Sequence, residues 1–223
     1  MSRNFQFLAS YTYSHALDDR PDATAVVPGG SDDAKIVQYS TNLASDYGSG
    51  DNDQRHRYVM SGIWQLEYAK NLNAVGRAIL GGWELSGIFT AQAGQPYSAG
   101  VSFDLNADGN SRSDRFPGVG RNTFRLPRFV SLDPRVTKNI PIHENIKFQF
   151  IFEAFNIFNR ANIISVNTTA FSRSTVVPPA TPVLCTTTPA PYLAPVAAFG
   201  TPASSVFSPL TPRIIQLAAK IVF

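Results

Sequence analysis

Oxygen-bearing side chains are concentrated in one stretch, Asp104-Leu105-Asn106-Ala107-Asp108-Gly109-Asn110, with Asp114 just beyond it. Oxygen donors at positions 1, 3 and 5, followed by Gly at 6, match the opening of a calcium loop, where the Gly permits a sharp turn. Position 12 of such a loop would be Arg115 rather than a bidentate Glu, so the stretch is not an EF-hand. Asp114, one residue earlier, could take that place in a looser loop. Asp104, Asn106, Asp108, Asn110 and Asp114 are therefore the candidate metal ligands, and Ca2+ ordering an external loop is the chemistry they would do. The alternative is an Asp/Asn/Gly turn that holds no metal. His15, His56 and His143 fall in three separate regions and form no metal spacing. The single Cys185 excludes an internal disulfide and a Cys-based zinc cage. There is no G-x-S-x-G, no paired nucleophile and base and no phosphate-binding Gly loop, so no catalytic residue is expected.

The elements around this loop alternate apolar and polar residues. Residues 5–15 place Phe5, Phe7, Ala9, Tyr11 and Tyr13 on one parity, against Gln6, Leu8, Ser10, Thr12 and Ser14. Alternate side chains of a strand point to opposite faces. The same pattern returns at 56–68, 81–92, 146–158 and 213–223. The last of these sets Ile215, Leu217, Ala219, Ile221 and Phe223 against Gln216, Ala218, Lys220 and Val222. Residues 131–140 are a weaker strand, because Pro134 lacks a ladder donor and Lys138 sits on the parity that should be apolar. A bulge or a position at a membrane rim would accommodate Lys138. Pro141 to Asn145 read as a tight turn. The strand faces separate charge: Arg57, Glu67, Glu84, Lys147, Glu153 and Lys220 all lie on polar parities.

Between the strands the connections alternate long and short. Residues 17–55, 94–130 and 160–212 are long and polar or Pro-rich, and the other two are brief. Bacterial membrane barrels have this asymmetry, with short periplasmic turns and long extracellular loops. Tyr11, Tyr13, Tyr58, Trp64, Tyr68 and Trp83 lie towards strand ends, where amphipathic rings sit at a membrane interface. Charged residues make up 16% of the chain, below the roughly 25% usual for soluble domains. No apolar run approaches the length of a membrane helix. The net charge of +3 is spread out, so nucleic acid is not implied. The expected fold is all-β: an antiparallel meander of about six long transmembrane strands. A soluble antiparallel sandwich also alternates. Strand length, loop rhythm and the aromatic Phe223 favour the membrane. Met1-Ser2-Arg3-Asn4-Phe5 lacks the apolar core of a signal peptide, so on a membrane reading the chain is expected to be a piece of a longer protein.

Several stretches resemble, in order, the carboxy-terminal region of TonB-dependent outer-membrane receptors, most closely the Oar-like subgroup whose members carry a carboxypeptidase-regulatory-like domain. They are Asp53-Gln54-Arg55-His56-Arg57-Tyr58; Gly81-Gly82-Trp83-Glu84-Leu85-Ser86-Gly87 with Gly94-Gln95-Pro96-Tyr97; Asp114-Arg115-Phe116-Pro117; Phe152-Glu153-Ala154-Phe155-Asn156-Ile157-Phe158-Asn159-Arg160; and the terminal strand. The resemblance implies a large barrel of about 22 strands filled by a plug. Residues 1–223 would be its C-terminal segment, without the plug and without about sixteen strands. Its implied partners are the rest of the barrel and plug, outer-membrane lipid, the barrel assembly machinery reading Phe223, and an energy-coupling complex acting through the plug. Uptake of a scarce substrate across the outer membrane of a Gram-negative bacterium is the implied function. The alternatives are a small outer-membrane adhesin and a soluble secreted glycan-binding sheet.

Overall fold

The computed structural model describes residues 4–20, 37–67, 69, 71–111, 114–143, 146–174, 192–203 and 212–223. Cys185 and Tyr68 lie outside them. In chain order the elements are β1 (Phe5–Tyr13), β2 (Leu17–Asp18), β3 (Gly48–Ser49), β4 (His56–Leu66), α1 (Ala74–Leu80), β5 (Trp83–Gln92), β6 (Pro96–Tyr97), β7 (Gly100–Val101), β8 (Phe124–Arg125), β9 (Phe129–His143), β10 (Ile146–Phe155), β11 (Thr169–Ser174), β12 (Tyr192–Pro195) and β13 (Ile214–Val222). The six long strands form one antiparallel sheet in the order β1-β4-β5-β9-β10-β13.

Register gives this wall two different faces. One row runs Phe5, Trp64, Leu85, Val136, Phe152, Leu217, one residue from each strand and all apolar. The adjacent row runs Gln6, Ile63, Ser86, Arg135, Glu153, Gln216. Arg135 and Glu153 pair across it at 3.3 Å. The apolar row is not a core: Phe5, Trp64 and Phe152 are exposed, and Leu217 is 80% exposed. Among the described residues Ala154 is the only buried apolar side chain that the wall contributes. A soluble sandwich would bury such a row against a second sheet.

Strand ends differ from the sequence reading for local reasons. The strand expected over 146–158 stops at Phe155, because Asn156 turns with φ 49° and Asn159 with φ 50°. The strand expected over 81–92 starts at Trp83, after Gly82 at φ 70°, where an added Cβ would overlap the Asn139 carbonyl oxygen. The weak strand is the longest: β9 runs from Phe129 to His143, so Pro141 is not in the turn but in the ladder opposite Lys147, with a register shift at Ile146/Lys147. Pro134 faces Gly87 and sits just beyond the Arg135–Glu153 end of the β9–β10 ladder, where its missing N–H costs no bond to β10.

Lys138 does lie on the outward parity, between Trp83 and Phe150, at the rim. The connection before β5 holds α1, which the alternation does not reveal. Asn73 caps its start by accepting from the Gly76 N–H at 2.8 Å. Lys138 Nζ donates to the carbonyls of Ile79 (2.9 Å) and Gly81, and lies 4.9 Å from the centre of the Trp83 ring. Trp83 Nε1 also donates to Ile79 O, at 3.1 Å. A cation and an indole thus satisfy carbonyls that a helix end leaves unpaired.

Candidate functional site

The long connections meet at the other end of the wall and build a layer of their own. β2 pairs β3, β6 pairs β8, and β11 pairs both β12 and, in parallel, β7. A small core of Tyr97, Leu126 and Val166 holds them, with Phe124, Ile163 and Phe199 packed against it. Gly94 is required at the entry to β6, since a Cβ there would overlap the Leu126 carbonyl oxygen. At the start of β9, Asn162 both accepts from the Val130 N–H and donates to its carbonyl, each at 3.0 Å. Asn156 closes its own turn onto Arg160, and its N–H donates to Asp133 Oδ1 at 2.8 Å.

Charge clasps the first long connection to the second. Arg115 pairs with Asp46, Arg121 with Asp18 and Asp51, and Arg125 with Asp53. Asp46, Asp53 and Arg121 are almost completely buried. Asn122 adds a bond to Asp51 Oδ1 at 2.8 Å. Burial alone would raise the Asp53 carboxyl, but the Arg125 guanidinium and the donors Ala16 N–H and Ser49 hold it below the usual carboxylate range.

The five sequence-predicted ligands sit in this layer. The Asp114 carbonyl accepts from the Val101 N–H at 3.0 Å and the Phe116 N–H donates to Ala99 O at 2.9 Å, so the base of the loop is tied to β7. Within the loop Asp104 accepts from the N–H groups of Asp108 (3.2 Å) and Gly109 (2.8 Å). Asn106 Oδ1 accepts from Asp108 N–H, and Asp108 Oδ1 from Asn110 N–H. Asp114 Oδ2 accepts from the Leu105 N–H at 2.6 Å. Among the described residues no three His, Cys, Asp or Glu side chains converge as a metal group. The donor set here is mixed, with two of the five side chains amides.

Between the layer and the polar face of the wall lies a cavity of about 590 Å³. Gln54, Gln92, Gln95, Asn156 and Gln216 bring amides to it, and Phe129 and Phe155 bring rings. Among the described residues its lining holds no Lys or Arg, and the one carboxylate among them, Asp133, already accepts from Ser131 Oγ and the Asn156 N–H. Gln216 therefore points to the polar side of the wall while Leu217 points away from it.

A wall with one bare apolar face and one polar face lining a cavity is what lipid on one side and water on the other require. The family model described as "Outer membrane beta barrel domain" matches residues 1–119 and 112–216. The chain belongs to this outer membrane beta barrel family. It is an outer-membrane protein of a Gram-negative bacterium. No curated protein and no solved structure matches it.

Barrels of this kind keep their short turns in the periplasm. The α1 connection and the β9–β10 turn thus mark the periplasmic end, and the clasped layer is extracellular. Aromatic rings mark both rims. Trp64 and Trp83 lie near the periplasm, and Tyr11, Tyr13 and Tyr58 near the outside. Antiparallel pairing also corrects the separation of the histidines. His56 lies opposite Tyr13 and bonds Tyr11 through Nδ1 at 2.8 Å, and His15 Nε2 is 3.0 Å from Arg55 Nη2, so both belong to one external rim.

Sequence reasoning missed the clasp. Its arginines are single residues in polar stretches, and only Asp53 and Arg115 fall inside motifs that the reading singled out. A signal was present in the recurrence of Arg at 115, 121 and 125 opposite an Asp-rich connection, but alternation does not register it. Phe223 follows β13 and is 96% exposed.

Proposed function

We propose that the chain is the carboxy-terminal barrel segment of a TonB-dependent receptor of the Oar-like subgroup, serving substrate uptake without catalysis. The observation that carries this reading is the open cavity between the lumen face of the wall and the clasped extracellular layer. Such a place suits capture of a substrate before passage. Its amides and rings, with no free charge among the described residues, suit a neutral ligand that offers hydrogen bonds and apolar surface. The family-like motifs also have structural work to do there: Asp53 and Arg115 hold the clasp, and Gly94 to Tyr97 carry β6. On this reading the plug and its coupling box lie outside residues 1–223, β1 and β13 pair with further barrel strands, and Phe223 is read by the assembly machinery.

The test uses the full-length gene product. A strain producing it should accumulate its substrate only when the energy-coupling complex is intact, and Gln92→Ala with Gln95→Ala should lower accumulation while surface levels hold. Accumulation independent of the complex would remove the receptor reading. The self-contained extracellular layer, with its own core, favours an adhesin as the second reading, and surface binding with no uptake would support that one.

A further inference from the structure

The short connection before β5 presents apolar side chains at the periplasmic rim. Val75 is 68% exposed and Ile79 is 62% exposed, and Leu72 and Leu80 are exposed at either end of α1. Val75 and Ile79 are four residues apart and share one face of the helix. Arg77, midway between them, falls on the opposite face and lines a groove with Glu84, Lys147 and Gln149 of the wall's polar face. The other end of the connection is fixed from the opposite side of the wall. Trp83 and Lys138 belong to the outward row Leu66, Trp83, Lys138, Phe150, Ala219. Both donate to the Ile79 carbonyl, Trp83 through Nε1 at 3.1 Å and Lys138 through Nζ at 2.9 Å. α1 therefore straddles the rim, with Arg77 towards the lumen and its last turn on the side of the wall that lipid covers.

We propose that α1 is an interfacial helix whose Val75–Ile79 face docks into the periplasmic leaflet of the outer membrane, with phospholipid as its partner. Continuity with the lipid-covered face identifies the occupant: the apolar side of α1 prolongs the row that carries Trp83 and Phe150. Exposed Ile142 and Ile146 extend the same apolar rim at the next turn. An apolar helix face of this kind lies in the boundary between headgroups and acyl chains. Seven residues are too few to hold a helix in water by themselves. Here the Asn73 cap fixes the start, and Trp83 and Lys138 fix the end, so the face is formed before lipid meets it. Docked in this way, α1 sets the depth at which the wall sits in the bilayer. The proposal rests on the barrel wall and not on the receptor reading, since an adhesin would sit in the same leaflet.

Two measurements test it. First, the full-length gene product, carrying a single spin-labelled cysteine at 75, 77 or 79 in a background without others, is placed in vesicles of phosphatidylethanolamine and phosphatidylglycerol. Labels at 75 and 79 should collide with oxygen more than with a water-soluble nickel complex, at a depth of about 5–10 Å. The label at 77 should show the reverse preference. Nickel access equal at all three positions would overturn the proposal by leaving the face in water. Positions 75 and 79 closed to both colliders would overturn it in favour of a protein partner. Second, outer-membrane fragments, open on both sides, are treated with trypsin. Val75→Gln with Ile79→Gln should quicken cleavage after Arg77 about tenfold or more, because several methyl groups leave lipid. Gln is a better helix former than Val or Ile, so faster cleavage would not reflect a weaker helix. Cleavage unchanged in this variant would also overturn the docking. Neither result would bear on uptake.

Discussion

Leu217 and Arg121 invert the usual rule for what belongs inside. Leu217 is 80% exposed on the wall, and Arg121 is 1% exposed in the extracellular layer. The wall puts its apolar residues outward because lipid covers them, and its strands are held by ladder bonds that lipid makes obligatory. The layer faces water, where a small apolar core of Tyr97, Leu126 and Val166 is supplemented by buried Arg–Asp pairs. One chain thus carries two solvents' worth of design, and the boundary between them falls near Gln92, Phe129 and Phe155.

The sharpest way to break this comparison is Arg121→Ala. It leaves Asp51 buried without its cation, and removing one partner of a buried pair costs about 3–5 kcal/mol. The layer should become protease-sensitive while the wall keeps its β-sheet signal in circular dichroism; loss of both together would mean that the two regions are not separate. Leu217→Arg should do the reverse. A charge on the lipid face costs about 2–4 kcal/mol near the midplane, so surface levels should fall, whereas Gln216→Arg, facing the cavity, should assemble normally. Equal surface levels of the two would refute the register. Gly94→Ala drives a methyl into the Leu126 carbonyl, and such overpacking costs about 1–3 kcal/mol. Hydrogen exchange should quicken at β6 and β8 and stay unchanged in β10.

The smallest effect is one of pH. Asp53 is held below its ordinary range, so its share of stability is present above the unfolded carboxyl value of about 3.9 and is lost as pH falls through its lower folded value. As pH falls below about 3.9 the layer should loosen at Arg125 while the wall persists. A clasp whose protection does not fall as the pH is lowered through this range would deny Asp53 this role.

The wall was legible in the sequence because a strand in lipid writes its environment at period two. Phe5 to Tyr13 and Ile215 to Phe223 needed nothing more than parity. β9 was the harder strand because Pro134, Pro141 and Lys138 each break the pattern for a reason outside the strand: Gly87, Lys147 and the end of α1. The layer was not legible. Arg121 and Asp51 are 70 residues apart, and no local pattern connects them. The oxygen-rich loop was visible as a motif, but the buried Oδ1 of Asp114 became apparent only from the packing around it.

The central claim is that β10 has lipid on one side and water on the other. Single cysteines, placed one at a time in a Cys185→Ser background in cells producing the protein, test it directly with a membrane-impermeant maleimide. Positions 149, 151 and 153 should label and positions 148, 150 and 152 should not. Uniform labelling, or labelling of the Phe148, Phe150 and Phe152 positions alone, would contradict the account.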